Sequence, residues 1–286
     1  MSFTISTNSA ANPGVDAAKY KFDRWLETPA GEYYWAREAG AIDQHLKYLP
    51  GPHVLSMGSD LSARNAAVLA ANRDFPYLYV VGSHKQGVSF EESDLRTCSA
   101  LPESLPFGTD SMSSVLVTHA LEMCAQPDQV LREIKRVLQP EGYALFTGFN
   151  TISPNYWGIG KWALRGSKYP KSIWHPRLAD WLRLLEFEIV ASSMFAYAPT
   201  SIAPRILAVS EAIEKAGNRW WPLLGGAYIL VARKTVLGRK FVGGKLRTLF
   251  AHGKVVLGPS STSSQQKAIE APYDYDQVKC AQIRTT

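Results

Sequence analysis

Short apolar runs alternating with helical segments constrain this chain more than any other feature. His53-Val-Leu-Ser-Met57, Tyr77-Leu-Tyr-Val-Val81, a shorter stretch near Asp94–Cys98, Ser114-Val-Leu-Val-Thr118, Tyr143-Ala-Leu-Phe-Thr-Gly-Phe149, Glu188–Phe195 and Ala227–Lys234 read as strands. Ser62–Asn72, with Ser62 as N-cap, Pro127–Leu138, with Pro127 in its first turn and Pro140-Glu-Gly142 closing it, Pro176–Leu185 and Ala203–Ala216 read as helices. A strand that is apolar on both faces must be covered on both faces, and alternation with helices supplies the cover. The expected fold is therefore α/β, a three-layer sandwich around a mainly parallel sheet. The final pair of strands lacks a clean helical crossover, which permits an antiparallel edge strand.

The flanks divide the chain further. Residues 1–17 are small and polar, without periodicity, and read as a flexible arm ahead of a domain over residues 18–234. Within that domain, residues 18–50 read as an N-terminal helical cap. A break at Pro29–Gly31 precedes Tyr34, Trp35, Ala41, Ile42 and Leu46 at three- and four-residue spacing. The three cysteines, Cys98, Cys124 and Cys280, form no CxxC pair, which argues for a reducing compartment over a disulfide framework. The longest apolar stretch, Trp220–Ala232, contains Pro222 and two glycines and is too short to span a bilayer. With no secretory signal at the start, the expectation is a cytoplasmic protein. The six histidines are scattered without metal-ligand spacing, so no metal site is expected.

In an open parallel sheet, ligands bind beyond the carboxyl ends of the strands, so the loops after Met57, Val81, Cys98, Thr118 and Phe149 matter most. There, Leu105-Pro-Phe107, the run Asp110–Glu122 ending His119-Ala-Leu-Glu122, and Pro127–Gly142 with its Arg136-Val-Leu-Gln-Pro-Glu-Gly142 close form an ordered set. This set resembles the central block of class I S-adenosylmethionine-dependent methyltransferases, in their type-11 branch. Trp25-Leu-Glu-Thr-Pro-Ala-Gly31, Gly148-Phe-Asn150 with Trp157-Gly158, and Asp180-Trp-Leu-Arg-Leu-Leu185 resemble a bacterial methyltransferase subfamily more narrowly. The resemblance covers about residues 22–240. It implies a Rossmann-like, mainly parallel seven-stranded sheet with an antiparallel edge strand, S-adenosyl-L-methionine as cofactor, and methyl transfer to an acceptor the sequence does not identify.

The residues that would hold the cofactor follow from that frame. Met57, Gly58 and Ser59 would bring main chain close to the methionine part. Ser83 would reach the ribose, Leu105, Pro106 and Phe107 would supply an apolar wall and main-chain donors beside the adenine, and Thr118 would lie beneath. The chain departs from the family pattern at this point. Leu55-Ser-Met-Gly-Ser-Asp60 has one glycine where the family carries several behind an acid, and Val81 is followed by Gly82-Ser83 where the family has a ribose-gripping carboxylate. These departures keep open a second reading, a methyltransferase-fold protein that serves as a binding or scaffolding module.

Methyl transfer is an in-line displacement at an activated carbon, so alignment and exclusion of water matter more than any fixed triad. His119 could act as a general base with Glu122 beside it, or simply cap its strand. Asn150 could orient an acceptor, or close an Asx-turn. Tyr33, Tyr34, Trp35, Trp157, Trp162 and Trp174 could line an acceptor site, with Tyr34, Tyr156 and Trp157 as the nearest contacts, or pack the helical cap onto the sheet.

The formal charge of +6 is concentrated. Arg233, Lys234, Arg239, Lys240, Lys245, Arg247 and Lys254 lie in one stretch without an acid and outweigh the whole surplus. Interleaved with Val236, Leu237, Phe241, Val242, Leu246, Leu249 and Phe250, they open a tail over residues 235–286, basic first and Ser-rich after Gly258. That tail reads either as a solvated appendage or as a contact for RNA or an anionic membrane surface.

Overall fold

The computed structural model describes residues 22, 24–58, 75–81, 95–98, 100–155, 172–199 and 207–235. Helix α1 (Pro29–His45) and a 3-10 turn (Leu46–Tyr48) lead into β1 (His53–Gly58), β2 (Tyr77–Val81), β3 (Leu95–Cys98) and β4 (Met112–Thr118). Then follow α2 (Ala120–Met123), α3 (Pro127–Val137), β5 (Leu138–Phe149), α4 (His175–Leu184), β6 (Phe187–Phe195), α5 (Leu207–Trp220) and β7 (Ala227–Lys234). The expected helix over Ser62–Asn72 lies outside the described residues.

The seven strands form one sheet in the order β3-β2-β1-β4-β5-β7-β6. The pairs from β3 to β5 are parallel, and β7 runs antiparallel to both β5 and β6. The antiparallel strand is therefore not at the edge, as the sequence suggested, but one place in from it. Burial gives the reason. Ala227–Ala232 is an unbroken apolar run buried on both faces, whereas the middle of β6 alternates between part-buried and exposed positions. The strand that tolerates water takes the edge.

Alternation along the strands sends side chains into two cores. One face carries Leu55, Met57, Val115, Val117, Phe146 and Leu230 against Val130, Leu131 and Ile134 of α3 and Leu178 and Leu182 of α4. The other carries Val54, Val80, Leu116, Leu145, Ile229 and Val231 against Phe22, Trp25, Tyr34 and Ile42 of the N-terminal segment. Helix α3 presents Val130, Leu131, Ile134 and Val137 at helical spacing and ends where Leu138 pairs with Met112, so strand pairing begins before Pro140 and not after Gly142.

At the other end of β5 the topology creates the feature that matters for function. The chain leaves β1 outward through β2 and β3, then returns to place β4 on the opposite side of β1. The carboxyl ends of β1 and β4 thus flank the switch point, where doubly wound sheets open a crevice.

Candidate active site at the carboxyl ends of β1 and β4

At the switch point Gly58 pairs with Thr118. Gly58 has φ +152°, and a Cβ there would stand 2.0 Å from the Thr118 carbonyl oxygen. Its small size is consumed by the neighbouring strand. Thr118 is fully buried and donates its hydroxyl to the Met57 carbonyl at 3.5 Å, tying the two strand ends together.

Beyond Thr118 the chain turns sharply. His119 adopts a left-handed conformation, φ 53°, and starts the short helix α2. Such a backbone is uncommon outside glycine, though histidine tolerates it better than branched residues do. The imidazole has no exposed surface. Its Nδ1 meets Glu122 Oε2 at 2.6 Å, while Nε2 lies 3.0 Å from the Tyr34 hydroxyl and 3.4 Å from Glu38 Oε1. Burial alone would lower the imidazole pKa, but the flanking Glu122 and Glu38 more than offset it and raise it to about 10. His119 is therefore an imidazolium at neutral pH, donating from both nitrogens.

The two acids are anchored in turn. Glu122 Oε1 accepts the Phe149 amide at 2.7 Å, and Glu38 Oε1 accepts the Thr147 hydroxyl at 2.6 Å. The cluster thereby joins α1, the end of β4 and the end of β5. Rings enclose it: Phe149 at 4.4 Å, Phe22 at 5.3 Å and Tyr34 at 5.9 Å from the His119 ring centre. Tyr34, expected as part of an acceptor wall, has no exposed surface; its hydroxyl meets His119, and burial pushes its pKa well above the usual 10. Glu38 was not among the residues singled out from the sequence. The signal was present, because Glu38 lies four residues from both Tyr34 and Ile42 on the apolar stripe of α1, and a carboxyl on such a stripe needs a donor opposite.

Tyr34 and Glu38 reach the cluster because of the Trp25–Gly31 turn. Thr28 caps α1: its Oγ1 accepts the Gly31 amide at 3.2 Å and donates to the Trp25 carbonyl at 2.6 Å. Pro29 occupies the first turn, where its missing N–H costs nothing. A Cβ on Gly31 would lie 2.2 Å from the Trp25 carbonyl oxygen, so only glycine admits this fold-back, which sets the Trp25 and Tyr34 rings 5.5 Å apart. Replacing Thr28 by Ala is expected to lower stability by about 0.5–2 kcal/mol, read from the urea midpoint. No change would mean that the cap is borne by the backbone alone.

The other expected site residues divide into two groups. Leu105 and Phe107 are buried in the α3-side core, with the Phe107 ring 5.4 Å from Tyr79, while Pro106 is exposed. The Leu105 amide donates to Glu133 at 3.0 Å, and Arg136 donates to the carbonyls of Leu105 and Phe107 at 3.0 and 2.8 Å. That main chain is thus held by the Glu133–Arg136 pair of α3, two residues inside the quoted block whose partner was not evident from spacing. Asn150 is also buried. Its Nδ2 donates to the carbonyls of Leu223 and Gly225 at 2.8 and 2.9 Å, and its Oδ1 accepts the Ile152 amide at 3.4 Å, an Asx-turn that clamps the start of β7. Ser59, Ser83, Tyr156 and Trp157 lie outside the described residues.

Residues 54–146, from β1 into β5, match the family model described as a methyltransferase domain. The chain is 28% identical over 219 residues to YafS, an uncharacterized protein of Escherichia coli K12, covering 75% of this chain and 82% of that one. Among solved structures it is similar to a chain from the complex of the Haloferax volcanii Trm112 methyltransferase activator with its proposed methyltransferase (TM-score 0.58, 17% identity, 77% of this chain and 98% of that one). It is also similar to a SAM-dependent methyltransferase from Thermotoga maritima (TM-score 0.53, 13% identity, 78% and 99%). Both structural likenesses concern the fold. The matched residues hold β1 to β4, most of β5, and α2 and α3, and Glu38 before them and Thr147 after them complete the buried cluster. No helix of the described residues is long and apolar enough to cross a membrane.

Proposed function

We propose that this protein transfers a methyl group from S-adenosyl-L-methionine to an acceptor of small or medium size, at the crevice outside β1 and β4. The observation that carries this reading is the strand order, which reverses between β1 and β4 and leaves Gly58 and Thr118 paired at the crevice floor. The residues there fit a sulfonium nucleoside in part. The glycine keeps the end of β1 free of side chain, and Ser59 and Ser83, next along their loops, are the hydroxyls expected to meet its polar edge. The cofactor supplies an activated methyl carbon; everything else asked of the protein is alignment and exclusion of water.

In that scheme His119 is a positioning residue. A cation held at both nitrogens has no lone pair with which to take a proton, so it orders Tyr34, Glu38 and Glu122 beneath the crevice in place of acting as a base. Asn150 likewise positions, by fixing the turn against Leu223–Gly225. Tyr156 and Trp157 remain the expected acceptor contacts. The basic segment beyond residue 235 is a separate proposal, a contact for an anionic polymer or surface. Arg233 and Lys234, the first two residues of the basic run, belong to the sheet instead, paired with Glu188 and with Asp110.

Titration calorimetry with S-adenosylmethionine and S-adenosylhomocysteine tests the reading directly. Saturable heat with both is expected. No heat and no thermal shift at millimolar ligand would sink the enzyme reading and favour a binding module. If an acceptor is found, the rate should show no step near pH 6.5 attributable to His119. A step there that disappears in His119→Gln would restore the histidine as general base.

A further inference from the structure

The last residue of α5 and the loop that leads from it to β7 invert the usual arrangement of side chains. Trp220 is 68% exposed, Trp221 57% and Leu223 64%, with Leu224 and, on the neighbouring turn, Ile152 also exposed. Scattered apolar residues on a surface mean little, but four within five consecutive positions form a patch.

Its backbone is arranged in the opposite sense. The Trp221 carbonyl accepts the Leu224 amide at 2.9 Å, and the Pro222 carbonyl accepts the Tyr197 hydroxyl at 3.1 Å. The Leu223 and Gly225 carbonyls accept Asn150 Nδ2 at 2.8 and 2.9 Å, and the Leu224 carbonyl accepts the Ser153 hydroxyl at 2.8 Å. Five consecutive carbonyls are thus satisfied from within the protein, three residues supplying side chains for the purpose. A loop that stays in water has no need of this, since water would serve those oxygens. A loop that enters a medium without hydrogen-bond donors needs all of it.

We propose that Trp220–Leu224 is a docking loop for the surface of a lipid bilayer. Tryptophan and leucine on a rigid turn are suited to the boundary between headgroups and acyl chains, where an aromatic ring can be apolar on its face and wet at its edge. The only charged residue in Gly217–Gly226 is Arg219, whose guanidinium stands 5.6 Å from the Trp220 ring centre. An arginine at that height suits a lipid phosphate. A protein partner would be expected to use some of the loop's carbonyls, and none from Trp221 to Gly225 is left without a partner. The loop also stands at the functional end of the sheet, because β7 begins at Ala227 opposite Phe149, beside Asn150. The basic run begins at the other end of β7, where Arg233 pairs with Tyr143.

The test is co-sedimentation of the full chain with vesicles of phosphatidylcholine alone and of phosphatidylcholine mixed with phosphatidylglycerol. Wild type is expected to bind both, more tightly when the anionic lipid is present. The variant Trp220→Ser/Trp221→Ser/Leu223→Ser should bind at least about tenfold more weakly, with an unchanged thermal midpoint because the replaced side chains are exposed. Trp220→Phe/Trp221→Phe should retain most of the binding. Three results would overturn the proposal. The first is wild type sedimenting with neither vesicle. The second is the serine variant binding as wild type does, with salt abolishing both, which would assign binding to the basic segment. The third is light scattering showing a dimer that the serine variant dissolves, which would make a second copy the occupant.

Discussion

Glu122→Ala is expected to destabilise the protein by about 3–5 kcal/mol, because it leaves a buried imidazolium without its closest counter-charge. The substitution removes the 2.6 Å contact to His119 and also orphans the Phe149 amide at the end of β5. Glu38 would remain on the far side of the ring at 3.4 Å, which is why the loss should not exceed that range. Urea denaturation at neutral pH measures it directly. A loss below about 1 kcal/mol, the scale of an exposed pair, would show that the cluster is hydrated in solution.

The same cluster predicts a pH dependence with a definite sign. The imidazole of His119 is raised from its ordinary 6.5 in the unfolded chain to about 10 in the folded one. The folded state therefore binds the extra proton, and the stability this brings is complete below about pH 6.5 and is lost as pH rises through about 10. Urea midpoints measured from pH 6 to pH 10 should decline for wild type and decline less for His119→Gln. The buried Tyr34 and Tyr228, both raised well above the usual 10 by burial, contribute further loss only above that window. A wild-type midpoint that is flat across the window would contradict the imidazolium assignment.

Gly58→Ala is the second substitution of large expected effect. The new methyl would sit 2.0 Å from the Thr118 carbonyl oxygen and 2.7 Å from its hydroxyl, at a φ of +152° that side chains rarely adopt. The closer obstacle is a backbone carbonyl that no side-chain rotation can move, so the ends of β1 and β4 must separate. Backbone strain of about 1–3 kcal/mol and overpacking of similar size combine to a loss of about 2–6 kcal/mol. The measurement is the thermal or urea midpoint. An unchanged midpoint would show that the strand ends yield freely. Loss of affinity in a Gly58 variant would follow from either a filled cofactor site or a spread sheet, so ligand titration of the wild-type chain is the informative experiment.

Much of this architecture was legible because its signals are local. Pro127 in the first turn of α3, the apolar period Val130, Leu131, Ile134 and Val137, and the short apolar runs of β1, β2, β4 and β5 each declare an element within a dozen residues. The His119–Glu122 pair was legible for the same reason, lying three residues apart. The role of the pair was not, because its charge state depends on Glu38 and on the surrounding rings, far away in sequence. Asn150 shows the same limit. Its Asx-turn was one of the two readings open from the sequence, but its clamp on Leu223 and Gly225 joins positions more than seventy residues apart.

By itself, then, the sequence determined the class of the fold, the number and direction of most strands, and the resemblance of its central block, since all of these rest on periodicity and short motifs. Tertiary structure alone decided that β7 enters the sheet between β5 and β6, that His119 lies buried between two carboxylates, and that Trp220 at the end of α5 and Trp221 after it face outward beside a turn whose carbonyls face in. Each of these is a matter of burial and of charge brought together across the chain. Dielectric environment, unlike helical period, is not a property of neighbouring residues in sequence.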